Sequence, residues 1–276
     1  MGLVNSVRHE KAIGVLDSGV GGLTVAKEIM RQLPKESIYY FGDTKRCPYG
    51  SRTTDEVYKF TLEMINFLKQ FPLKAIVIAC NTATSVVLPH IQHEIDIPII
   101  GVINAGARAA IKNTKNNNIG IIGTNVTINS NAYKHKMCEL NPNIKVLSLA
   151  CPTLAPLVEK ELNNKSLLKT EVRNALQPIL NTNIDTLVLG CTHYPHLTEY
   201  IQEILEDNVS IISSSEETAR ELSAILEHNN LLSLGTSKKD NFYVTGSVEK
   251  FNEIAEKWLQ TKIDAHLVNL ESTISI

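Results

Sequence analysis

The sequence predicts an α/β protein made of two similar lobes, each a mainly parallel sheet flanked by helices. First, short apolar runs alternate with amphipathic segments along the whole chain, which is the pattern of parallel α/β folds. Second, two of these runs, at 76–85 and 187–195, end alike in a cysteine followed by polar residues. Third, several runs recur after 106 to 112 residues, which indicates an internal repeat.

The strands are predicted from apolar runs that small or polar residues close, and the helices from apolar residues recurring every three to four positions. The predicted strands lie near 12–16, 37–41, 73–79, 98–102, 119–123, 144–149, 185–189 and 208–212. Helical periodicity is clearest over 22–32, 54–69, 126–139, 171–180, 216–227 and 248–259. Pro89 complicates the segment after Cys80, because a proline inside a helix kinks or divides it.

The repeat predicts how the lobes are divided. GVLDSG at 14–19 aligns with GIIGTN at 120–125, and Cys80 aligns with Cys191. Identity between the halves is low, so similar architecture arising by chance is the alternative. If the repeat is real, the two cysteines face each other across a pseudo-twofold axis. The ligand then lies between the lobes, because open parallel sheets bind ligands beyond the carboxyl ends of their strands.

We predict that the first lobe consists of residues 1–103 plus 213–276 and carries the first cysteine. Residues 104–212 form the second lobe and carry the other cysteine. The residues after 213 exceed what a second half needs, so we expect them to return to the first lobe. The polar stretch 228–241 is predicted to be a surface connection.

Composition excludes several classes of protein. The chain has 276 residues, is 43% hydrophobic and carries a net charge of −2, which gives no electrostatic basis for binding nucleic acid or an anionic membrane. No apolar run approaches the roughly 18 residues of a membrane span, and the first residues lack the apolar core of a secretion signal. Five widely spaced cysteines without a C-x-x-C pair indicate reduced thiols in the cytoplasm.

Cys80 and Cys191 are the candidate reactive residues. A free cysteine is more often a small buried apolar residue than a nucleophile, so it is their position that favours chemistry. Each precedes hydroxyl or amide side chains at a predicted helix start, where the helix dipole lowers the pKa of a thiol. His193 follows Cys191 by two residues and is placed to exchange its proton, although a loop histidine without chemistry is the alternative.

The motif DSGVGG begins at Asp17, directly after the first predicted strand. Its glycines permit tight turns with free amides, which can hold an anion at the start of the next helix. The motif is neither a Walker loop nor G-x-G-x-x-G, so a carboxylate fits better than a nucleotide phosphate. Asp17 itself can act as a base or can orient another group. A plain glycine-rich turn is the alternative.

Two further motifs are weaker signals. In FGDTKRCPYG, a turn at Pro48, Tyr49 and Gly50 can place backbone groups and a phenol near a ligand. Thr124 occupies the place in the second half that Asp17 holds in the first, and its hydroxyl can contact a ligand or cap a helix. Two H-x-x-H pairs lack H-E-x-x-H spacing and an evident third ligand, so we expect no metal site.

Together these motifs resemble those of glutamate racemases, in order and over essentially the whole chain. The matching segments are IGVLDSGVGGLTV, YFGDTKRCPYG, ACNTATS, GVINAGARAA, GIIGTNVTINSNAY, ACPTLAPLVE and LVLGCTHYP. Such enzymes interconvert L- and D-glutamate without a cofactor and supply D-glutamate for bacterial peptidoglycan and hence for the cell wall. The resemblance also implies a homodimer.

By motif, the resemblance implies Cys80 and Cys191 as the two acid/base residues, assisted by Asp17 and His193. Glu159, which spacing alone would assign to the surface, matches an acidic residue near the second thiol. The implied substrate contacts are Asp17, Ser18, Pro48, Tyr49, Gly50, Asn81, Thr82, Thr124 and Thr192.

Three rival functions stay open. The nearest is another two-cysteine member of the same superfamily, such as an aspartate racemase or a related isomerase. A two-lobed amino-acid binding protein without chemistry is another, and a cysteine hydrolase is the third, although it leaves the second thiol unexplained. Within the racemase hypothesis, the two thiols have unlike partners, so we expect unequal kinetics in the two directions.

Overall fold

The computed structural model describes residues 11–160, 165–235 and 238–270, which form two separate parallel sheets. The strands are β1 Ala12–Asp17, β2 Ile38–Gly42, β3 Leu73–Ile78, β4 Ile99–Gly101, β5 Asn118–Gly123, β6 Lys145–Ala150, β7 Thr186–Gly190, β8 Ser210–Ser213, β9 Asn241–Val244 and β10 Ala265–Leu267. The larger sheet has the order β10-β9-β2-β1-β3-β4, and the smaller has β6-β5-β7-β8.

Helices connect the strands and cover both sheets. They are α1 Leu23–Gln32, α2 Thr54–Leu68, α3 Asn81–Ile91, α4 Val102–Asn113, α5 Asn125–Asn129, α6 Ala132–Leu140, α7 Leu154–Glu159, α8 Lys165–Leu176, α9 Thr198–Leu205, α10 Ser214–His228 and α11 Val248–Leu259. Short 3-10 turns lie at Tyr49–Ser51, Gln177–Ile179, Tyr194–Leu197 and Glu206–Asn208. Within the described ranges, none of the helices has the length and apolarity needed to cross a bilayer.

The predicted fold class is confirmed. Every strand pairing in the described chain is parallel. The order β2-β1-β3-β4 in the larger sheet is repeated as β6-β5-β7-β8 in the smaller one, as the internal repeat predicts. The twofold relation between the halves stays a prediction.

Strand β9 pairs with β2 and β10 pairs with β9, so the chain after residue 213 contributes to the larger sheet. The lobe boundaries 1–103, 213–276 and 104–212 stay a prediction. Some of the residues that they include, 1–10, 161–164, 236–237 and 271–276, lie outside the described part of the chain.

Helices pack on both faces of each sheet, which is why β1, β3 and β7 are buried along their whole length. On the larger sheet, α1, α10 and α11 cover one face, while α2 and α3 cover the other. On the smaller sheet, α7, α8 and α9 pack on one face against α4 and α6 on the other. The two faces of each sheet therefore have separate apolar cores, and the strand ends are left for polar residues.

Several elements differ from the predicted ones. The helix predicted over 126–139 is two helices, α5 and α6, because Asn131 adopts a left-handed backbone conformation with φ of 54°. Helix α3 runs through Pro89, which lacks the amide that would donate to the Ser85 carbonyl, so the predicted division of this segment does not occur. Strands β9 and β10 were not predicted; β9 pairs with β2, and β10 pairs with β9. Helix α4 was also missed, and five of its seven buried residues are alanine or glycine.

The predicted surface connection 228–241, of which residues 236–237 lie outside the described chain, is attached to the larger sheet by buried charges. The Lys74 ammonium donates to the Leu231 carbonyl at 2.7 Å and forms an ion pair with the buried Glu36 carboxylate. The other oxygen of Glu36 accepts from the Ser233 amide at 2.7 Å. This connection is therefore held in place by Lys74 at the start of β3 and by Glu36.

We expect Lys74→Met to lower the free energy of unfolding by about 3 kcal/mol, because it leaves the Glu36 carboxylate buried without its counter-charge. Chemical denaturation followed by circular dichroism measures the change. Lys169→Met is the matched control, since Lys169 pairs with Glu203 on the surface, where both side chains are about half exposed. A loss no greater than that of the control would contradict a stabilising role for the buried pair.

Candidate active site

The predicted site residues follow the carboxyl ends of four central strands. Asp17 ends β1, and Cys80 follows β3 on the neighbouring strand of the same sheet. Thr124 follows β5 in the smaller sheet, and Cys191 follows its neighbour β7. Parallel neighbours end at the same edge, so each sheet presents one cysteine and one polar residue at its edge.

The two sheet edges are in contact with each other. The Thr192 hydroxyl lies 3.5 Å from the Asp17 carboxylate, and the Thr82 hydroxyl lies 2.9 Å from that of Thr124. A Cβ atom added to Gly50 would lie 2.6 Å from the Thr124 side chain. The structure thus brings residues from both halves of the sequence into one buried site.

Cys80 caps the N-terminus of α3. Its sulfur accepts a hydrogen bond from the Ala83 amide at 3.4 Å and lies 3.7 Å from the Ser18 hydroxyl. Burial raises the pKa of the Cys80 thiol to about 12, the negative charge of Asp17 adds to the increase, and the Ala83 amide opposes it. The expectation that the helix start lowers this pKa is therefore wrong for Cys80, because loss of hydration outweighs the dipole.

Cys191 belongs to a linear arrangement with His193 and Glu159. The Cys191 sulfur lies 3.7 Å from His193 Nδ1, and His193 Nε2 lies 2.8 Å from Glu159 Oε1. Burial disfavours a charged imidazole, but hydrogen bonds to Cys191 and Glu159 outweigh it and raise the pKa of His193 to about 10. Burial also raises the pKa of Glu159, yet the hydrogen bond and positive charge of His193 bring it below its usual value. His193 is therefore an imidazolium at neutral pH.

Glu159 was the least evident of these residues in the sequence. It is the last residue of α7, and the turn after β7 brings His193 against it. No helix starts directly at Cys191, because α9 begins only at Thr198. A hydrogen-bonded histidine, and not a helix dipole, is therefore the group that acts on this thiol.

Asp17 is fully buried between the two halves. Its carboxylate accepts from the Gly19 amide at 2.9 Å and faces the Thr192 hydroxyl. Burial raises the pKa of Asp17, while the positive charge of His193 and the amides of Gly19 and Gly22 act in the opposite direction. The charge of Asp17 also raises the pKa of Cys80. Asp17 therefore interacts electrostatically with Cys80 and with His193, which lies beside Cys191.

The glycines of DSGVGG are required by close contacts. A Cβ atom on Gly21 would lie 2.3 Å from the Thr192 hydroxyl and 2.7 Å from His193 Nδ1. One on Gly22 would lie 2.5 Å from the Cβ atom of Asp17. In the described chain the glycine with positive φ is Gly235, so a left-handed backbone is not what requires glycine in this motif. Glycine here allows the opposite half to approach the first strand end.

The Pro48-Tyr49-Gly50 turn is held by Asp43. The Tyr49 phenol donates to the buried Asp43 carboxylate, which also accepts from Arg46 at 2.6 Å and from the Thr245 hydroxyl at 2.7 Å. Because the Tyr49 phenol donates to Asp43, the backbone of Tyr49 is the part left for the predicted ligand contact, which stays a prediction. Pro48 precedes it after a cis peptide bond.

Hydroxyl groups from both halves form a cluster at the centre of the site. The Thr124 hydroxyl caps α5 by accepting from the Thr127 amide at 3.2 Å, so the capping interpretation is confirmed. It also lies 3.0 Å from the Thr127 hydroxyl, which in turn lies 3.3 Å from that of Thr82. Ligand contacts by Thr82 and Thr124 stay a prediction.

Four residues at the site were missed or given no role. Cys47 lies 3.8 Å from Glu159, and the Tyr40 hydroxyl donates to the Gly19 carbonyl at 2.8 Å. Thr127 joins the hydroxyl cluster, and Tyr133 donates to Asn81 Oδ1 at 2.7 Å. All four lie in segments that were singled out in the sequence, but only the fold shows what they contact.

The H-x-x-H pairs have other contacts. The His196 ring lies 3.8 Å from the Trp258 ring, and burial lowers its pKa to about 4. The His90 ring lies edge-on to Tyr58. Across residues 11–160, 165–235 and 238–270, no three His, Cys, Asp or Glu side chains are grouped to hold a metal ion.

Comparison with known proteins places this arrangement among racemases. The profile of the Asp/Glu/Hydantoin racemase family matches residues 13–222. A glutamate racemase from Bacillus cereus is 51% identical over 259 residues, which cover 94% of this chain and 96% of that protein.

Solved structures agree with the sequence comparison. A glutamate racemase isoform from Bacillus anthracis superimposes with a TM-score of 0.93 and 55% identity, over 94% of this chain and 98% of that one. A glutamate racemase from Francisella tularensis, determined in complex with D-glutamate, has a TM-score of 0.90 and 38% identity, over 96% and 99% of the two chains.

We expect Glu159→Gln to lower the pKa of His193 from about 10 towards the usual 6.5, because the variant removes the negative charge beside Nε2. NMR titration of the imidazole measures the shift. Glu203→Gln, on the surface, is the control.

The pKa of His193 is about 10 in the folded protein and 6.5 in the absence of its partners. The resulting contribution to the free energy of unfolding is fully present below pH 6.5 and is lost as the pH rises through about 10. The excess unfolding free energy of the wild type over Glu159→Gln should therefore shrink between those values. An unshifted His193 titration in the variant would refute the assigned cause.

Proposed function

This chain belongs to the Asp/Glu/Hydantoin racemase family, and within it to the glutamate racemases, and we propose that it interconverts L- and D-glutamate with two thiols and no cofactor. The observation that supports the chemistry best is that Cys80 and Cys191 follow strands of two sheets whose edges are in contact, with Asp17 acting on Cys80 and His193 beside Cys191. Racemisation needs one group to remove the α-proton and another to deliver a proton to the opposite face.

The two thiols have different surroundings. Nδ1 of His193 lies 3.7 Å from the Cys191 sulfur and can exchange a proton with it. Burial and the charge of Asp17 raise the pKa of Cys80, which favours the thiol form there. In the proposed reaction, each thiol acts as the base for one enantiomer and as the acid for the other.

Each enantiomer presents its α-hydrogen to a different thiol. When the hydrogen faces Cys191, the thiolate takes it, and Cys80 donates its proton to the other face of the α-carbon. The product then leaves with Cys191 as thiol and Cys80 as thiolate. The reverse reaction starts from that second form, in which Asp17 and not His193 is the nearer ionisable partner. Unequal rates in the two directions follow from this difference.

The remaining polar groups suit a dicarboxylic amino acid. The side chains of Ser18, Asn81, Thr82, Thr124 and Thr192, with the backbone amides of Tyr49 and Gly50, supply donors around the thiols, and the backbone amides at the start of α3 add more. Fixed donors in a buried site stabilise the negative charge that develops on the α-carboxylate as the proton leaves. The substrate ammonium assists in the same way.

The proposal extends to the role of the product and to assembly. D-Glutamate made in this reaction would supply peptidoglycan synthesis, as the family resemblance implies. A homodimer is proposed on the same basis. The alternatives are an aspartate racemase and a binding protein without chemistry, and the relatives at about 50% identity favour glutamate.

We expect Cys80→Ser and Cys191→Ser each to reduce racemisation in both directions at least a hundredfold, because one thiol serves each face. Circular dichroism follows the loss of optical activity. In D₂O, each variant should still exchange the α-hydrogen of the one enantiomer that faces its remaining thiol. Cys138→Ser, on α6, is the matched control and should racemise at the wild-type rate. Near-normal racemisation by either active-site variant would end the two-thiol proposal.

The purified protein should racemise L-glutamate without any added cofactor, and treatment with a chelator should leave the rate unchanged. The same circular dichroism assay with L-aspartate should give a rate at least tenfold lower, because the motifs and relatives favour glutamate. A preference for aspartate would favour the related racemase. Tight glutamate binding without loss of optical activity would favour a binding protein.

A further inference from the structure

Tyr133 joins the two halves of the site at Asn81, the residue directly after Cys80. The Tyr133 hydroxyl, on α6 of the smaller sheet, donates to Asn81 Oδ1 at 2.7 Å, and both side chains are at most 3% exposed. The Nδ2 atom of the same amide is also buried and has no hydrogen-bond partner among the described residues. Buried amide donors are almost always paired in native structures, so an unpaired one beside a reactive thiol indicates a ligand acceptor.

Ser214 packs beside the Tyr133 phenol. A Cβ atom on Gly106 would lie 3.1 Å from the Tyr133 hydroxyl and 3.2 Å from Ser214 Cβ, so the two side chains approach the same point on α4. Ser214 opposes part of the rise that burial causes in the pKa of Tyr133. The single phenol hydrogen is donated to Asn81 Oδ1.

We infer that Tyr133 is a positioning residue that fixes the orientation of the Asn81 amide, so that its NH₂ group is offered to a carboxylate of the substrate. With Oδ1 held by the phenol, the amide cannot turn its oxygen to the ligand without leaving the Tyr133 hydrogen unpaired. Asn81 therefore recognises an acceptor and not the substrate ammonium. The inference rests on the proposed glutamate site and specifies how one of its contacts is oriented.

A double-mutant cycle tests the inference. Binding of equilibrated DL-glutamate is measured by calorimetry for the wild type, Tyr133→Phe, Asn81→Ala and the double variant. Tyr133→Phe should weaken binding about tenfold, the effect of one hydrogen bond to a charged group. Asn81→Ala should weaken it at least as much, and the double variant should bind within about twofold of Asn81→Ala alone, because Tyr133 acts only through Asn81.

The inference would be overturned if the double variant lost affinity by the product of the two single factors, or if Tyr133→Phe bound glutamate as tightly as the wild type. Thr61→Val is the control for losing a buried hydroxyl, since Thr61 donates to the Val57 carbonyl within α2; its binding should equal that of the wild type. If Tyr133→Phe does not fold, Ser214→Ala replaces it in the cycle. Ser214→Ala should weaken glutamate binding about threefold in the wild-type protein and should have no effect on binding in the Asn81→Ala variant.

Glutarate, which has both carboxylates and no ammonium, tests the chemistry of the contact. Tyr133→Phe should weaken the binding of glutarate and of glutamate by the same factor. If the amide oxygen of Asn81 instead binds the substrate ammonium, the substitution would leave glutarate binding unchanged, and this result would refute the assignment. Failure of the proposed function appears separately, as absent racemisation by the wild type. If the wild type racemises glutamate but the two substitutions weaken binding independently, only the inference about Tyr133 is refuted.

Discussion

Burial of ionisable groups between two strand edges is the constraint on which the rest of this site depends. It raises the pKa values of Asp17 and Cys80, and it works against a charged His193 as well. His193 overcomes it, because both of its ring nitrogens have hydrogen-bond partners: Nδ1 faces the Cys191 sulfur, and Nε2 faces the Glu159 carboxylate. The site is therefore similar in strand geometry on its two sides but different in electrostatics.

Contact between the two halves keeps these groups out of water. Glycine at position 21 lets the Thr192–His193 turn approach the first strand end within van der Waals distance. Threonine hydroxyls and the Tyr133–Asn81 hydrogen bond connect the halves further along the same edge. Farther out, Asp43 joins the turn at Tyr49 to Thr245, so the late chain segment that pairs with β2 also supports this turn.

Much of the fold was predictable because it depends on local pattern. The central strands β1, β3, β5 and β7 are apolar runs closed by glycine or a polar residue, and they were predicted within one residue at their starts. Elements whose burial comes from distant neighbours were not predictable. Strands β9 and β10 pair in the larger sheet only because β2 offers them a free edge, and α4 packs through small side chains.

The ionisation of the site was not readable from residue order. A cysteine at a helix start predicts a lowered pKa, but at Cys80 desolvation exceeds the dipole, and desolvation depends on what the opposite half covers. Glu159 looked like surface charge, since its partner His193 lies 34 residues away in sequence. Asn81 and Tyr133, 52 residues apart, were both inside marked motifs with no indication that they meet.

The sequence by itself determined which residues stand at strand ends, because apolar runs, glycines and polar closures are local features. It therefore identified the two thiols, their α/β setting and the racemase resemblance. Only the tertiary structure decided how those strand ends are paired across the two sheets, which groups lose their hydration and which hydrogen bonds compensate. Long-range packing sets these quantities, and they determine the direction in which the pKa values of Asp17, Cys80 and His193 are shifted.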